Sequence, residues 1–363
     1  MILVTGGTGF VGREVVAALL ARGHRVRLLV RNPRRAAAWA HHPQVEIIRG
    51  DALQPETLPP ALHGVETVVH LIGIIAETSK VTFEQAHTGA TRHLLEAARG
   101  TSVTRWLQMS AEGTRMSATS RYHRTKWQAE ELVRGSGLDW TIFRPSLIYG
   151  HDEHDRLLNL LRRVLTPPLS LLTLDSLPLL EEGKPLVQPV SVREVAHCFA
   201  QAVTHAGSIR QTYDLVGPVA FSWREMVEKI ALDLGRSTVY EEFPGTLFPR
   251  VALFAVVALL PVLILAGLIA GWFGYLPAEA GGVVWILLAL LLWRKRRTVI
   301  FSLPGEPLLL LAGLIKTFAP RQLQFHEQLH MALEDNIGNP APAMKAFAYT
   351  PETFEQGLRN LSL

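Results

Sequence analysis

The segment LVTGGTGFVG, residues 3–12, restricts the fold of this chain more than any other. Its glycines Gly6, Gly9 and Gly12 fall between an apolar run and a stretch with helical spacing. Such glycines allow a tight turn, a close approach of phosphate to the backbone, and close packing of helix on strand. Free N–H groups at the helix start can bind a diphosphate. A turn alone is the alternative, but the strand before the loop favours dinucleotide binding. The predicted cofactor-binding residues here are Thr5, Gly6, Gly7, Thr8, Gly9, Phe10, Val11 and Gly12.

Apolar, β-branched runs bounded by turn residues recur along the first 150 residues. They predict strands at 2–4, 26–30, 45–48, 67–72, 106–109 and 140–143. Helices are predicted at 12–22, 83–99, 122–135 and 193–204. This alternation predicts an α/β fold of Rossmann type, a doubly wound parallel sheet with helices on both faces.

The end of the second predicted strand indicates which dinucleotide binds. An acidic residue there would bind the ribose of NAD, but this chain has Arg31, Asn32, Arg34 and Arg35. Guanidinium groups suit a 2′-phosphate, so we expect NADP(H), with NAD(H) and a merely solvated basic turn as alternatives. Asp51 could accept a hydrogen bond from the adenine or cap a helix. The further predicted cofactor-binding residues are Arg31, Asn32, Arg35, Asp51, Ala52, Leu71 and Gly73.

Tyr122 and Lys126 lie four residues apart at the start of a predicted helix, so both side chains project from one face. A cation beside a phenol lowers the phenol pKa, which would make Tyr122 an acid or base. Ser110, twelve residues earlier at a strand end, could hydrogen-bond a carbonyl or alcohol oxygen. Ser110, Tyr122 and Lys126 are therefore the predicted catalytic residues, although such a Tyr–Lys pair also arises by chance on surfaces.

These residues, with FRPSLIYG at 143–150 and QPVSVREVA at 188–196, resemble the extended and atypical short-chain dehydrogenase/reductases. Within them, 122–150 and the tail at 329–358 are similar to the group related to the nucleotide-binding accessory subunit of respiratory complex I. The resemblance covers about 1–245 and 320–363. It implies a Rossmann sheet, bound NADP(H) or NAD(H), and Lys126 at the nicotinamide ribose. Some members of the family have no known catalytic activity. In this chain, His87 and HLIGI at 70–74 differ from the residues that are usual in the family.

An apolar segment outside this resemblance predicts a membrane anchor. Residues 248–270 carry one charge, Arg250, and are long enough to cross a bilayer. Residues 281–293 could be a short tilted span, a re-entrant piece or a buried helix. Arg250 and the basic run 294–297 flank the two stretches, which predicts a hairpin with both ends on the cytoplasmic side of the inner membrane. A hydrophobic hairpin in the protein core is the alternative.

The remaining features exclude several classes of protein. Cys198 is the only cysteine, so an intrachain disulfide or multi-cysteine metal site is excluded. HDEHD at 151–155 lacks a third defined ligand position, and we expect no metal. A net charge of +4 gives no reason to expect nucleic acid as a partner. The predicted domains are a Rossmann domain at 1–150, a small substrate lobe with the last sheet elements at 151–246, the hairpin at 247–297, and an interfacial segment and C-terminal part at 298–363.

Two functions fit these features. The first is a membrane-anchored NADP(H)-dependent oxidoreductase acting on a lipophilic carbonyl or alcohol related to quinones or isoprenoids. The second is a non-catalytic NADP(H)-binding accessory or assembly factor of a respiratory or quinone-biosynthesis membrane complex. The Tyr122–Lys126 pair favours the enzyme.

Overall fold

The structure is a computed structural model of the 363-residue chain. It describes residues 1–150, 159, 161, 165, 176–241, 297–303 and 326–361. The described residues form two compact units. The larger draws on Met1–Asp155, Leu186–Ala220 and Ala312–Gly357, and the smaller on Arg156–Pro185, Phe221–Leu311 and Leu358–Leu363. Each unit therefore combines segments that are far apart in the sequence.

The elements of the two units alternate along the chain. The strands are β1 (Ile2–Thr5), β2 (Val26–Val30), β3 (Val45–Arg49), β4 (Thr67–His70), β5 (Arg105–Met109), β6 (Asp139–Pro145), β7 (Ile148–Tyr149), β8 (Ser176–Leu180), β9 (Leu186–Val187), β10 (Val190–Ser191), β11 (Gln211–Leu215), β12 (Phe221–Ser222), β13 (Ser237–Glu241) and β14 (Arg297–Leu303). The α-helices are α1 (Phe10–Ala21), α2 (Pro59–Leu62), α3 (Ala90–Ala98), α4 (Arg121–Arg134), α5 (Val192–Ala202), α6 (Trp223–Asp233), α7 (His326–Leu333), α8 (Ala341–Phe347) and α9 (Phe354–Leu361). Short 3-10 helices lie at Pro33–Trp39, Pro55–Thr57, Glu181–Gly183 and Ala206–Ser208, and a π-helical turn lies at Gln85–Gly89.

Seven strands of the larger unit form one parallel sheet in the order β11-β6-β5-β4-β1-β2-β3. The chain runs outward from β1 through β2 and β3 on one side, and from β4 to β11 on the other. The edge above β1 and β4 is therefore the switch point at which doubly wound sheets bind ligands. The predicted α/β parallel sheet is confirmed. The strand β11 extends it and was not among the predicted strands.

Helices cover both faces of the sheet. The strands β1, β2 and β4 are therefore buried along their whole length. On one face, α1 and α5 pack against the strands through Leu19 and Phe199. On the other face, α3 and α4 pack through Leu94 and Val133. These two apolar clusters hold the carboxyl ends of the strands at one edge, where the loops after β1, β4 and β5 meet.

The start of α4 is fixed by its own N-cap. Ser120 Oγ accepts a hydrogen bond from the backbone N–H of His123 at 3.1 Å. Such a cap typically stabilises a helix by about 1 kcal/mol. This cap fixes where α4 begins and so places Tyr122 in its first turn.

The smaller unit contains a second parallel sheet in the order β13-β14-β8. Val227 of α6 and Ile300 of β14 form its buried apolar cluster. The guanidinium of Arg224 lies 3.7 Å from the centre of the Tyr240 ring, which is a cation–π contact.

Every helix within the described ranges is too short or too polar to span a lipid bilayer. The hairpin predicted over 247–297 lies, apart from Arg297, outside the described residues, and so do the leucine-rich stretch at 307–318 and HDEHD at 151–155. The hairpin therefore stays a prediction.

Candidate active site

The loop between β1 and α1 has a backbone path that requires glycine. Gly6 has a φ of 76°, and a Cβ there would lie 3.1 Å from the carbonyl carbon of Leu71. A Cβ at Gly12 would collide with the carbonyl oxygen of Gly6. Helix α1 begins after Gly9, and no described side chain caps its first N–H groups. The loop thus has N–H groups at a helix N-terminus that no described side chain caps, and these suit the diphosphate of NAD(P)H.

Three side chains linked by hydrogen bonds tie this loop to the helical layer. Thr5 Oγ1 lies 2.6 Å from His70 Nδ1, and His70 Nε2 lies 3.1 Å from Thr91 Oγ1. Thr91 donates its hydroxyl hydrogen to the carbonyl of His87, so it accepts from the Nε2–H of His70. Thr5 therefore donates to Nδ1. Burial lowers the pKa of His70 to about 3, which keeps this imidazole neutral. His70 was not among the predicted site residues, and its only signal in the sequence is a histidine that ends a buried strand.

The polar residues after β2 and β3 lie at the same edge of the sheet. The exposed basic side chains after β2 are Arg31, Arg34 and Arg35. Asn32 Oδ1 accepts the N–H of Arg34 at 3.1 Å and so begins the 3-10 helix that follows. Asp51 Oδ1 accepts the N–H of Leu53 at 3.1 Å. Asp51 therefore makes a local capping contact, and its contact with adenine stays a prediction.

Lys126 extends from α4 to the loop after β4. Its Nζ donates to the carbonyl of Met109 at 3.2 Å. A Cβ on Gly73 would lie 2.9 Å from that Nζ, so a side chain there would displace the lysine. The structure thus brings together Gly73 and Lys126 from the predicted cofactor set. Of the other predicted residues, Ala52 and Leu71 are buried beneath the same edge.

The burial of Lys126 leads to a prediction about how the stability of the folded protein depends on pH. It lowers the pKa of the ammonium from 10.5 to about 8, and the carboxylate of Glu130 opposes this only in part. The folded protein then binds fewer protons than the unfolded chain between pH 8 and 10.5, so its stability rises across that window and is lowest below it. A shift of this size corresponds to about 3 kcal/mol at pH 7.

Lys126→Met should therefore stabilise the fold at pH 7 by about 1–3 kcal/mol, because it removes a buried charge. The midpoint of urea unfolding would rise, and the gain in wild-type stability between pH 8 and 10.5 would disappear in the variant. Lys345→Met, at an exposed position, is the matched control and should change the midpoint little. A less stable Lys126→Met protein at pH 7 would contradict this account.

Tyr122 lies almost fully buried among aromatic rings, with 9% of its surface exposed. Its ring meets those of Phe83, His87 and His123 edge to face, at centroid distances of 5.8, 5.3 and 5.1 Å. Burial raises the pKa of its phenol to about 12. The expected lowering of this pKa by Lys126 is therefore wrong in direction for this structure, because the loss of solvation on burial sets the shift. Within the described residues, the hydroxyl makes no hydrogen bond.

Ser110 follows β5 directly. Its N–H donates to the carbonyl of Phe143 at 2.7 Å, which keeps it in line with the sheet. Its hydroxyl lies 3.4 Å from Thr114 Oγ1. The next residue, Ala111, packs in the same apolar cluster as Tyr122. The serine and the tyrosine therefore border one region at the carboxyl edge of the sheet.

His87 connects α4 with the loop after β4. Thr125 Oγ1 donates to carbonyls within α4, so it accepts from His87 Nδ1, which lies 2.9 Å away. His87 Nε2 then accepts the N–H of Ile74 at 3.2 Å. Burial, reinforced by the charge of Lys126, holds the pKa of His87 well below its usual value. This residue is thus a neutral brace between Ile74 and the helix that carries Tyr122.

The sheet order and the glycine loop after β1 define a class, that of Rossmann-type domains with a dinucleotide-binding loop. Residues 6–160 match the family described as NAD(P)H-binding.

Known proteins are similar in sequence to this chain. The mitochondrial NADH dehydrogenase [ubiquinone] 1 alpha subcomplex subunit 9 of Arabidopsis thaliana is 32% identical over 233 residues, which cover 62% of this chain and 56% of that protein. Ceramide reductase of Caulobacter vibrioides is 32% identical over 157 residues, covering 43% of this chain and 49% of the enzyme. The chain thus spans about half the length of these curated relatives.

A solved structure shares the fold. It is the NADPH-dependent quinone oxidoreductase of Escherichia coli in complex with NADPH, which superposes with a TM-score of 0.65 at 16% identity and covers 100% of both chains. At this identity the likeness concerns the fold alone.

Proposed function

We propose that this protein is a membrane-anchored, NADPH-dependent reductase of a lipophilic carbonyl compound. One observation carries the proposal. The first turns of α4 bring a buried phenol and a buried ammonium to the switch-point edge, beside the glycine cradle that fits a diphosphate. A merely structural helix start has no need of two buried ionisable groups, since each costs solvation energy.

The reaction adds two hydrogens to a carbonyl group. NADPH, when bound, supplies the hydride that goes to the carbonyl carbon. The Tyr122 hydroxyl gives its proton to the oxygen, and the Ser110 hydroxyl hydrogen-bonds that oxygen and orients it. Lys126 holds the cofactor through its Nζ. The products are the alcohol and NADP⁺, and the tyrosine regains its proton from solvent.

The raised pKa of Tyr122 supports the direction of reduction. With a pKa of about 12, the phenol keeps its proton at neutral pH and is a donor rather than a base. The oxidation of an alcohol would need the phenolate, which this apolar surrounding disfavours.

The lipophilic substrate class rests on the surroundings of the phenol. Ile74, Phe83 and Met331 pack in the cluster around Tyr122, so the space beside it suits an apolar group. The apolar stretch 248–270 would anchor the protein in the inner membrane, with the Rossmann domain on the cytoplasmic side. The similarity to a ceramide reductase supports a substrate of lipid character.

The preference for NADPH makes a prediction of its own. Arg31→Asp should weaken NADPH binding about tenfold to 100-fold, because it replaces a charge-assisted hydrogen bond to the 2′-phosphate with repulsion. NADH binding should stay the same or improve. Arg25→Asp, the same charge change at the opposite end of β2, is the control. Calorimetric titration measures both constants, and an equal loss of both cofactors would contradict the assignment.

The proposal is tested on the full chain purified in detergent. NADPH oxidation is followed with a panel of isoprenoid ketones and quinones, using NADPH deuterated at the transferred position. We expect deuterium on the carbinol carbon of a ketone product. For the anchor, the full chain should sediment with membranes, whereas a chain lacking 248–296 should not. An intact chain in the soluble fraction would contradict the anchor.

A second function is favoured by one specific observation. The match to the complex I subunit covers 62% of this chain, whereas the match to the ceramide reductase covers 43%. We therefore infer, as the alternative, an NADP(H)-binding accessory or assembly factor of a respiratory membrane complex. Retention of NADPH through purification, with no turnover and with co-purification of such a complex, would favour it.

A further inference from the structure

Helix α7, near the C-terminus of the chain, lies against the loops that surround Tyr122. Glu327 Oε2 accepts the N–H of Arg121, the first residue of α4, at 2.7 Å. Gln328 Nε2 donates to the carbonyl of Ile75 at 2.9 Å. These contacts join α7 to two segments near Tyr122, the first residue of α4 and the loop after β4.

The end of α7 contacts a second loop. The carboxylate of Glu334 forms an ion pair with Arg115 at 2.9 Å, and Arg115 lies in the loop between β5 and α4. Its Oε2 is also 3.9 Å from His123 Nδ1, next to the tyrosine in sequence. Helix α7 thus reaches the loop after β4 at one end and the loop after β5 at the other.

Between these polar contacts, α7 presents one apolar side chain to the tyrosine. Met331 packs against the cluster of Phe83, Ala111 and Tyr122, as does Ile74. The flexible thioether of methionine fills irregular gaps and makes favourable contacts with aromatic rings. Met331 therefore occupies space that a substrate at the phenol would border.

We propose that Met331 determines substrate size, forming a wall of the site beside Tyr122 and admitting narrow apolar carbonyl compounds while excluding wide ones. This inference rests on the proposed reductase function. A carbonyl whose oxygen reaches the Tyr122 hydroxyl must place its neighbouring group beside the Met331 side chain. The width of that group is limited by the thioether, and its polarity by Ile74 and Phe83.

The test compares acetophenone with 2-acetonaphthone, two aryl methyl ketones that differ by one fused ring. In Met331→Ala, kcat/KM for the naphthyl ketone relative to the phenyl ketone should rise at least about tenfold, mainly through KM. Met331→Leu keeps the volume and should keep the wild-type ratio. Met116→Ala is the matched control, since Met116 is 75% exposed in the loop that also carries Arg115. If Met331→Ala reduces the ketones and its ratio of kcat/KM values equals that of wild type, the proposal is overturned.

A second measurement separates this inference from the proposed reaction. Tetranitromethane nitrates accessible tyrosines, and peptide mass spectrometry reports the rate at Tyr122 in the full-length protein. We expect at least about tenfold faster nitration in Met331→Ala than in wild type, and no change in Met116→Ala. If no variant reduces either ketone, faster nitration supports the wall while the proposed reaction with these ketones fails. Unchanged nitration in that case overturns the wall as well.

Discussion

Replacing Gly12 with alanine will weaken NADPH binding about 100-fold. The added Cβ would collide with the carbonyl oxygen of Gly6 and would lie 2.7 Å from the Cα of Gly7. Both neighbours are backbone atoms, so no flexible side chain can move aside. Overpacking of this kind typically costs about 1–3 kcal/mol, and a shift of the loop that relieves it would also move the N–H groups expected to bind the diphosphate.

The control for Gly12→Ala is a glycine at an ordinary helix end. A Cβ on Gly135, at the end of α4, would meet the carbonyl oxygen of Glu131 at 3.4 Å, which is normal contact. Gly135→Ala should bind NADPH as wild type does. Fluorescence titration measures the affinity of each variant for NADPH, and circular dichroism confirms that each variant is folded. Equal affinity in folded Gly12→Ala and wild type would show that the diphosphate lies elsewhere.

The β1–α1 unit was predictable because all of its determinants are local. The glycine spacing, the apolar run before it and the helical run after it lie within the first 22 residues. The same holds for the next five strands, whose apolar runs match β2 to β6 closely. The helix predicted over 83–99 is also present, but it contains the π-helical turn at Gln85–Gly89, which no residue pattern announced.

The parts that escaped prediction depend on contacts between distant residues. Arg115 and Glu334, for example, form an ion pair across 219 positions, and the side chains of Thr5 and His70 meet across 65. A sequence read in short windows contains no signal for either. The pKa of Tyr122 illustrates the same limit. Its spacing from Lys126 is visible in the sequence, but the rings that bury it come from other elements.

Tyr122 and Lys126, the two buried ionisable groups of α4 discussed above, have different roles in the proposed reaction. Burial keeps Tyr122 protonated at neutral pH, and it lowers the pKa of Lys126 to about 8, so that the lysine is still charged at pH 7 but loses its proton more readily than an exposed lysine. Anionic phosphates near Lys126 would favour its charged form again. Cofactor binding and the protonation of this lysine are therefore coupled in the proposed enzyme.

Tyr122→Phe will lower kcat by about 10²–10⁴-fold, because it removes the proton donor and leaves the cofactor site untouched. The affinity for NADPH and the thermal stability should stay near wild type, since the hydroxyl makes no hydrogen bond within the described residues and the ring packing is retained. Tyr213→Phe, at a buried tyrosine of β11 packed against Phe143 and Phe347, is the matched control and should keep full activity.

The pattern of losses in Tyr122→Phe separates the two functions. A collapse of kcat with unchanged NADPH binding fits the reductase, because only the chemical step needs the phenolic proton. Turnover within about threefold of wild type would place the proton donor elsewhere, since general acid catalysis contributes far more than that. If the wild-type protein itself binds NADPH tightly without reducing any carbonyl, Tyr122 serves packing alone, and the accessory function accounts better for a phenol whose pKa is raised to about 12.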